Sequence, residues 1–513
     1  MLAERDLAFT TDIPEELDRE RRRLTIQYDR TLKKMAGLNP RDHGKEIEAT
    51  HRELRKLNEE AGVVEASIRK ASPRLAALKY PRPLGTAEAG QALDSGTLLL
   101  SYSVGKGETA LFALSRSGDL EVKILPLGEE TLRSKVKQLR SLIREAAQES
   151  SLGALRQRQV EAVSRELYTA LLRPVAERIA KSERLLILPD GPLHALPFAA
   201  LLRDGADGES GGQYLAEWKP LHVALSATVF AELKQRRRPA SDSNSPQAPV
   251  QLAAFGDPVY PQSLVKAKVD SSAALPTIAG VIAQVDVSRG DPIVRSAVER
   301  GIFDWQPLPY TRHEVEGIAR LFSAGTARTF LGSEALEERI KSLDPKIRIL
   351  HLAAHGYTDE HLPSSSFIAL TIPEDTNPDA TPERDNGLLQ VWEIFERVRL
   401  DADLVVLSAC DSGLGEEQGG EGLIGLTRAF QYAGARTVMA SLWSVEDRAT
   451  SELMIRFYKH LRAGLTKDEA LRQAQIELIR SPIEVVDEKG GKTLLDASAP
   501  YYWAGFQLYG DWR

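Results

Sequence analysis

Three short apolar runs in the second half of the chain restrict the fold to one class. They begin the segments IRILHLAAHG (347–356), ADLVVLSACDSG (402–413) and RTVMASLW (436–443). Helical patterns alternate with them, among them NGLLQVWEIFERV, GLIGLTRAFQYAG and EDRATSELMIRFYKHLRAG. Strands that are apolar at nearly every position, and that alternate with helices, are typical of a mostly parallel sheet covered on both faces. The sequence therefore predicts an α/β fold.

A looser version of the same pattern precedes this region. Strand-like runs and two helical patterns, near 130–149 and 156–179, extend over residues 95–260. Residues 261–300 show no sustained period, which indicates a surface insertion. Residues 15–78 are rich in Glu, Arg, Lys and Leu, with a narrow apolar stripe and breakers in GLNPRDHG. We therefore expect an N-terminal helical hairpin (1–80), a first half (81–300) and a second half (301–513).

Composition excludes several classes of protein. The chain has 66 basic and 73 acidic residues, a net charge of −7, which gives no reason to expect nucleic acid as a direct partner. No apolar run approaches the roughly 20 residues that span a bilayer, and the charged N-terminus lacks a signal-peptide core, so we expect a cytoplasmic protein without a membrane partner. A single cysteine excludes an internal disulfide and any zinc site built from several cysteines.

That single cysteine, Cys410, follows one apolar run, and His355 follows another. If the two strands are parallel neighbours, both residues lie at the sheet edge where α/β proteins bind their ligands. A thiol needs a partner that takes its proton, and histidine titrates near neutral pH. Backbone N–H groups near Gly356 and Cys410 could hold the oxyanion of an acyl intermediate. The pattern indicates a His/Cys dyad.

Each half of this dyad also has a purely structural interpretation. A lone cysteine at a strand end is often a small buried apolar residue, and a His-Gly after a strand is often a turn. Two other histidines compete. His194 has an apolar setting that favours a structural role. His351 is four residues before His355, on the same face of the strand, where it either packs beside the catalytic histidine or is a buried core residue. No histidine spacing makes a convincing metal site.

The segments ILHLAAHG, LVVLSACDSG, GEGLIGLTRAFQYAGARTVMASLWSVED and PYYWAGFQLYGD together resemble the CHAT family of caspase-like peptidases, relatives of separase and caspases. The resemblance covers about residues 80–513. It implies two caspase-like αβα sandwich halves, the first degenerate, and a cysteine peptidase with its dyad on His355 and Cys410. Such an enzyme requires no cofactor and no metal. Helical repeats usually precede the peptidase in this family, so a sensing module is expected as a partner.

The segment SLWSVED is similar to the stretch that shapes the pocket for the residue before the cut in separase-like enzymes. By this resemblance Asp447 receives a basic side chain, Trp443 forms an apolar wall, and Asp411 lines the cleft. A carboxylate at the base of a cleft pairs well with arginine. The alternatives are that Asp447 is a helix N-cap and that Asp411 caps a loop. Ser444 stands where related proteins often carry an acidic residue.

The resulting expectation is a cysteine endopeptidase that cleaves a protein substrate after a basic residue, in bacterial defence or signalling, under control of an activator. The loops EDTNPDATPERDNG and DSGLGEEQGGEG flank the expected cleft and are candidates for a gate. Two alternatives remain open. One is a non-catalytic interaction module, and the other is an acyltransferase that uses the same dyad, for which no phosphate-binding glycine loop is present.

Overall fold

The structure is a computed structural model. It describes residues 83–148, 153–204, 212–235, 250–260, 306–358, 366–372, 385–411, 421–443, 445–486 and 491–513, and scattered residues between 14 and 71. The chain divides into two compact units, 1–83 and 84–513. The predicted insertion, the break in the N-terminal hairpin and most of both predicted gate loops lie outside the described residues.

The first unit is helical at every described residue between positions 16 and 71. Its described buried side chains are Leu24 and Thr31, seven residues apart, then Thr50, Leu57 and Val64, also at intervals of seven, and Ile68, four residues after Val64. A seven-residue interval places side chains along one narrow side of a helix, which is the geometry of a helical seam. The described residues therefore carry the narrow stripe that the sequence predicts.

The second unit contains twelve described helices and seventeen described strands. Its first part comprises α1 (Thr86–Ala92), β1 (Thr97–Val104), β2 (Thr109–Ser115), β3 (Leu120–Leu125), α2 (Glu129–Gln148), α3 (Gly153–Leu171), α4 (Ala176–Lys181), β4 (Arg184–Leu188), β5 (Leu202–Arg203), β6 (Gln213–Tyr214), α5 (Leu215–Trp218), β7 (Leu221–Val223), α6 (Ala227–Gln235) and β8 (Leu252–Gly256). Its second part comprises α7 (Pro309–Ala319), β9 (Ala327–Leu331), α8 (Glu337–Lys341), β10 (Ile349–Tyr357), β11 (Phe367–Ala369), β12 (Leu388–Gln390), α9 (Val391–Arg397), β13 (Leu404–Asp411), α10 (Glu421–Ala433), β14 (Thr437–Ser441), α11 (Asp447–Arg462), α12 (Lys467–Arg480), β15 (Ile483–Val486), β16 (Lys492–Leu495) and β17 (Phe506–Gly510).

Strands from both predicted halves join one sheet, which has thirteen strands among the described residues. The order is β12-β11-β10-β13-β14-β17-β7-β4-β1-β2-β3, and β8 and β9 extend it beside β10. The first residues of β10 pair with β8 and its last residues pair with the hairpin of β11 and β12. Most of the pairings are parallel, so the predicted α/β class is confirmed.

The direction of the strands reverses where the two halves meet, between β14 and β17. β17 runs antiparallel to β14 and parallel to β7, and β7, β4 and β1 are parallel to one another. The carboxyl ends of β4 and β7 therefore lie at the edge opposite to the carboxyl ends of β10 and β13. β8 precedes residue 300 but is parallel to β10, so its carboxyl end lies at the edge that carries positions 355 and 410.

Strand β13 shows why its sequence is apolar at successive positions. Val405 and Leu407 belong to the core under α10, whereas Leu404 and Val406 belong to the core under α11. Neighbouring residues of a strand point to opposite faces, so a strand covered on both faces must be apolar throughout. None of the helices that the structure describes combines the length and the apolarity that a bilayer crossing requires.

Candidate active site

The two dyad positions are neighbours across a pair of parallel strands. β10 and β13 pair in a register that sets His355 opposite Cys410 and Gly356 opposite Asp411. Adjacent strands lie about 4.8 Å apart, so the two backbones approach each other closely at this edge. The sequence predicted that these positions share one rim, and the backbone register places them there. The side chains of Cys410 and Asp411 lie outside what the structure describes.

The imidazole of His355 is held by a backbone carbonyl. Its Nε2 lies 2.7 Å from the carbonyl oxygen of Gln306. A carbonyl oxygen can only accept, so Nε2 donates and carries the proton of the neutral ring. Nδ1 is then the basic nitrogen of that ring, the one that can take a proton from a thiol or a water.

An aromatic ring supports the same imidazole. The rings of Tyr260 and His355 have their centroids 5.4 Å apart and a 40° angle between their planes. The Tyr260 hydroxyl donates to the carbonyl oxygen of Ala369, 3.0 Å away, and Ala369 is the register partner of His355 in β11. The hydrogen bond to Gln306 and the contact with Tyr260 thus orient the His355 ring. A ring that is already oriented loses less conformational entropy when it reaches a reactive geometry.

Beneath His355, the same strand carries a second histidine with a different environment. His351 is fully buried, and its Nε2 donates to the Glu314 carboxylate at 2.8 Å. Its Nδ1 lies 3.2 Å from the hydroxyl of Tyr458, whose ring meets the imidazole edge-on. This triad joins β10 to α7 and α11 in the interior. The structure therefore places His351 in the core, which was the structural interpretation of that residue.

His194 lies in a 3-10 turn, Gly191–Ala195, that follows β4. The carboxyl end of β4 is at the opposite edge of the sheet from β10, so His194 is remote from Cys410 in the topology. Burial lowers the pKa of His194 to about 4 and keeps the ring neutral. These observations agree with the structural role that its sequence setting favours.

Asp447 is the first residue of α11, and Glu446 is the N-cap. The Glu446 carboxylate accepts from the N–H of Ala449 at 2.7 Å, so the capping role suggested for Asp447 belongs to its neighbour. Asp447 Oδ2 instead accepts from the backbone N–H of Tyr310 at 3.0 Å, at the start of α7. Burial, followed by repulsion from Glu314, raises the pKa of Asp447 to about 7.

The segment between Gln306 and Tyr310 connects the two candidate sites. Gln306 holds His355 and Tyr310 holds Asp447, and only three residues separate them in the chain. A fully extended segment of this length spans at most about 14 Å. The Asp447 carboxylate and the His355 ring are therefore anchored to points of the backbone that lie within that distance of each other.

Trp443 lies almost wholly in the interior. Its side chain is 2% exposed, it belongs to the core under α11, and its Nε1 donates to the carbonyl oxygen of Tyr501 at 3.2 Å. Gly505 approaches it so closely that a Cβ at that position would lie 3.2 Å from the Trp443 ring. The ring therefore packs as a core residue. Ser444 lies outside the described residues.

One group of acidic side chains has a geometry that a metal ion can use. The carboxylates of Glu337, Asp385 and Glu393 converge, with one oxygen of each within 4.8 Å of the others. The ammonium of Lys341 already lies among them, at 2.5, 2.6 and 2.7 Å. Since a lysine supplies the positive charge, we interpret the group as an internal ion cluster that joins α8 to α9 and to Asp385, which precedes β12.

This cluster makes a pH-dependent contribution to stability. Burial, followed by repulsion from Glu393, raises the pKa of Glu337 above the value of an exposed glutamate. A carboxyl whose folded pKa is raised stabilises the fold below its unfolded pKa, and this contribution is lost as the pH rises through its folded pKa. We expect Glu337→Gln to flatten the decline in the free energy of unfolding above pH 5, as measured by urea denaturation. An unchanged decline would show that Glu337 does not titrate in this range.

The supports of His355 were not predicted from the sequence. Tyr260 ends the segment FGDPVY and Gln306 precedes LPYTRHEVEG, and neither segment carries a motif for histidine positioning. Glu314 and Tyr458 lie on helices. The apolar patterns of these helices predict only that one side of each helix faces a core. Each of these four contacts joins residues that are distant in the chain, and only packing reveals them.

Comparisons with known proteins relate this chain to a domain family, to curated sequences and to solved structures. The CHAT domain matches residues 161–511. Tetratricopeptide repeat protein 28 of Mus musculus is 27% identical over 380 residues, and that of Homo sapiens is 26% identical over 381 residues. Each alignment covers 68% of this chain and 13% of the relative, so the chain spans only about an eighth of those proteins.

Among solved structures, the separase–securin complex of Saccharomyces cerevisiae at 2.6 Å resolution aligns with a TM-score of 0.47 and 10% identity. A second structure of that complex, at 3.0 Å resolution, aligns with a TM-score of 0.45 and 10% identity. Both alignments cover 87% of this chain and 31% of the matched chain. The CHAT match extends over more than half of the chain, and this protein therefore belongs to the CHAT domain family.

Proposed function

We propose that this chain is a cysteine endopeptidase whose nucleophile is Cys410 and whose general acid and base is His355. The observation that carries the proposal is the register of β10 and β13, which sets the two residues side by side at one sheet edge. The hydrogen bond from His355 Nε2 to Gln306 supports it, because it makes Nδ1 the basic nitrogen. The proposal gives the single cysteine of the chain a chemical role, which a small buried apolar residue would not have.

The reaction has two stages. The Cys410 thiolate attacks the scissile carbonyl carbon, the C–N bond breaks, and the imidazolium of His355 gives its proton to the leaving amine. Water then attacks the thioester while His355 takes a proton from it, and the C–S bond breaks to release the carboxylic acid and the thiol. Backbone N–H groups at Gly356 and Cys410 are the proposed donors to the oxyanion. The scheme uses no metal and no organic cofactor.

We place the binding of the residue before the cut at Asp447. Its carboxylate is half-buried, and it is anchored to the same short segment that holds His355. A half-buried carboxylate attracts a basic side chain more strongly than an exposed one does. Asp411, next to the nucleophile, is proposed to line the same cleft, and Trp443 is proposed to shape its wall from the interior side.

The proposed substrate is a protein, and the proposed setting is cytoplasmic defence or signalling. An activator or a helical-repeat sensing partner would control the enzyme through the loops that flank the cleft. The alternative is an interaction module without catalysis, which the same fold could serve. The experiment below separates the two.

The test exploits the fact that Cys410 is the only cysteine. Iodoacetamide modification of the native protein, measured by intact mass from pH 5 to pH 9, reports the thiolate of this residue alone. We expect modification at pH 6 to be on the order of tenfold faster than that of a free thiol, because a neighbouring imidazolium stabilises the thiolate. His355→Gln should lose this enhancement. His194→Gln, a change of the same chemistry at the opposite sheet edge, should retain it.

Peptide cleavage then tests the activity itself. A mixed-sequence fluorogenic library is incubated with the wild type and with Cys410→Ala, each with and without lysate from the source cell. Cleavage that depends on Cys410 supports the endopeptidase. A thiol that reacts like free cysteine and does not respond to His355→Gln, together with no cleavage, would reject the dyad and favour the interaction module.

The pH dependence of specificity gives a separate prediction for Asp447. With a pKa near 7, this carboxyl is increasingly neutral below pH 7 and loses its attraction for a basic side chain. We expect kcat/KM for an arginine peptide to fall by up to about tenfold per pH unit below pH 7, beyond the decline seen with a glutamine peptide. Asp447→Asn should make the two profiles parallel. Parallel profiles in the wild type would remove Asp447 from the pocket and leave the dyad untouched.

A further inference from the structure

Strand β3 ends the main sheet and exposes an apolar row. Its residues alternate between exposed and partly buried, and the exposed ones are Leu120, Val122 and Ile124, at 41, 48 and 59%. Leu125, at the end of the strand, is buried in the core. Among the described residues β3 pairs with β2 and with no other strand. An edge strand with exposed apolar side chains is a template for pairing with a further strand.

The opposite face of β2 and β3 is covered by helices, so only one face of this edge exposes a row of apolar side chains. Leu111, Ala113 and Leu125 pack in the core beneath α2 and α3. On the exposed side, α1 and α6 cover β1 and β4 through Leu99 and Leu186. That cover does not include the β3 row.

The hydrogen-bonding groups of the row face outward. The N–H of Ser115 donates to the carbonyl oxygen of Asp119 at the start of the β2–β3 pairing. In an antiparallel pair the bonded residues alternate, so 119, 121, 123 and 125 bond to β2. The N–H and C=O groups of Leu120, Val122 and Ile124 therefore point away from β2, toward the edge.

The charges of β3 are complementary to those of a second β3 strand that runs antiparallel to it. Glu121 and Lys123 lie between the apolar residues and contact each other at 2.8 Å. Antiparallel pairing centred on Val122 sets Glu121 of each copy opposite Lys123 of the other, and Leu120 opposite Ile124. Two neighbouring registers also let the outward N–H and C=O groups of residues 120, 122 and 124 bond to the other copy. They are centred on residue 121 and on residue 123. The register centred on 123 sets Lys123 against Lys123, which is destabilising. The register centred on 121 sets Asp119 against Lys123, but it also sets Glu121 against Glu121 and leaves Ile124 opposite Gly118 rather than an apolar side chain.

We propose that the chain forms a symmetric dimer in which two β3 strands pair antiparallel about Val122 and continue the sheet from one copy into the other. The occupant of this edge is a second copy because its charge pattern selects that partner and that register. The two-fold symmetry gives a closed, isologous contact. Backbone bonds and the apolar row supply affinity, and the two Glu121–Lys123 pairs supply specificity. The interface is small, so we expect a weak, concentration-dependent dimer.

Sedimentation equilibrium of the full chain, from roughly 1 µM to roughly 500 µM, tests the association, because weak interfaces of this size dissociate in that range. Lys123→Glu alone, or Glu121→Lys alone, should raise the dimer Kd about tenfold or more, since each sets like charges opposite one another. The double variant Glu121→Lys/Lys123→Glu should restore the Kd to within about threefold of the wild type. A chain that stays monomeric, or a double variant that does not recover, would overturn the proposal.

Cross-linking tests the register independently of affinity. In a Cys410→Ser background, Val122→Cys should form a disulfide-linked dimer under mild oxidation, because the Cα atoms of opposed residues lie about 5.5 Å apart. Leu120→Cys and Ile124→Cys should cross-link efficiently only when mixed with each other. Leu494→Cys, on the exposed strand β16, is the matched control and should remain largely monomeric. Equal cross-linking of Val122→Cys and Leu494→Cys would contradict the register, and a partner strand from another protein would then be the occupant to seek.

Discussion

Exchange of His351 for leucine is expected to lower the free energy of unfolding by about 3–5 kcal/mol. Within the part of the chain that the structure describes, His351 is the hydrogen-bond partner of the Glu314 side chain, and both residues are fully buried. Loss of the ring leaves a buried carboxylate unpaired, which is among the most costly changes that a core can undergo. Urea unfolding followed by circular dichroism at pH 7 measures the effect.

The control for this prediction is a double-mutant cycle. His351→Leu/Glu314→Leu removes both partners of this buried hydrogen bond, and replacing both partners by apolar groups can be nearly neutral in stability. The double variant should therefore be more stable than His351→Leu alone, with a coupling energy of about 1–3 kcal/mol. A single variant that loses under about 1 kcal/mol would show that water reaches Glu314, since the carboxylate would then be solvated.

Exchange of Trp443 for alanine is expected to cost about 3–5 kcal/mol, because it opens a large cavity in the core and leaves the Tyr501 carbonyl without its donor. Trp443→Phe keeps most of the volume and loses mainly the hydrogen bond, so it should cost about 1–2 kcal/mol. The measurement is again urea unfolding.

The same pair of variants tests whether Trp443 contacts substrate. A ring that is 2% exposed offers almost no surface to a substrate, so Trp443→Phe should leave the KM for an arginine peptide nearly unchanged. A large change in KM with intact stability would instead show that the indole touches the substrate directly. That result would show that Trp443 forms part of the cleft wall, as the resemblance implies.

The dimer contact and the candidate active site occupy different parts of the sheet. β3 is the last strand on one side, whereas β10 and β13 lie beyond the seam formed by β17. Dimerisation through β3 would therefore involve neither of the strands that carry positions 355 and 410. Loss of dimerisation in Lys123→Glu without a change in the reactivity of Cys410 is the expected combination.

Local chemistry accounts for what could be predicted from the sequence. The apolar runs at β10, β13 and β14 appear as strands because their residues must face a core on both sides. The predictions were less accurate where short-range patterns are ambiguous. NGLLQVWEIFERV was predicted as one helix, but Leu388–Gln390 form β12 and the helix begins only at Val391. A proline likewise divides the second predicted helix of the first half, which ends at Leu171 before the 3-10 turn Arg173–Val175.

By itself, the sequence determined the class of fold, the helical character of the first unit and the pair of positions, 355 and 410, that carries the candidate dyad. Periodicity and residue type depend on local environment, and the sequence records them directly. Only the tertiary structure decided that both halves share one sheet, that β17 joins them, and that Gln306 and Tyr260 hold His355. These features depend on contacts between residues distant in the chain, and their energies arise only when the whole sheet has formed.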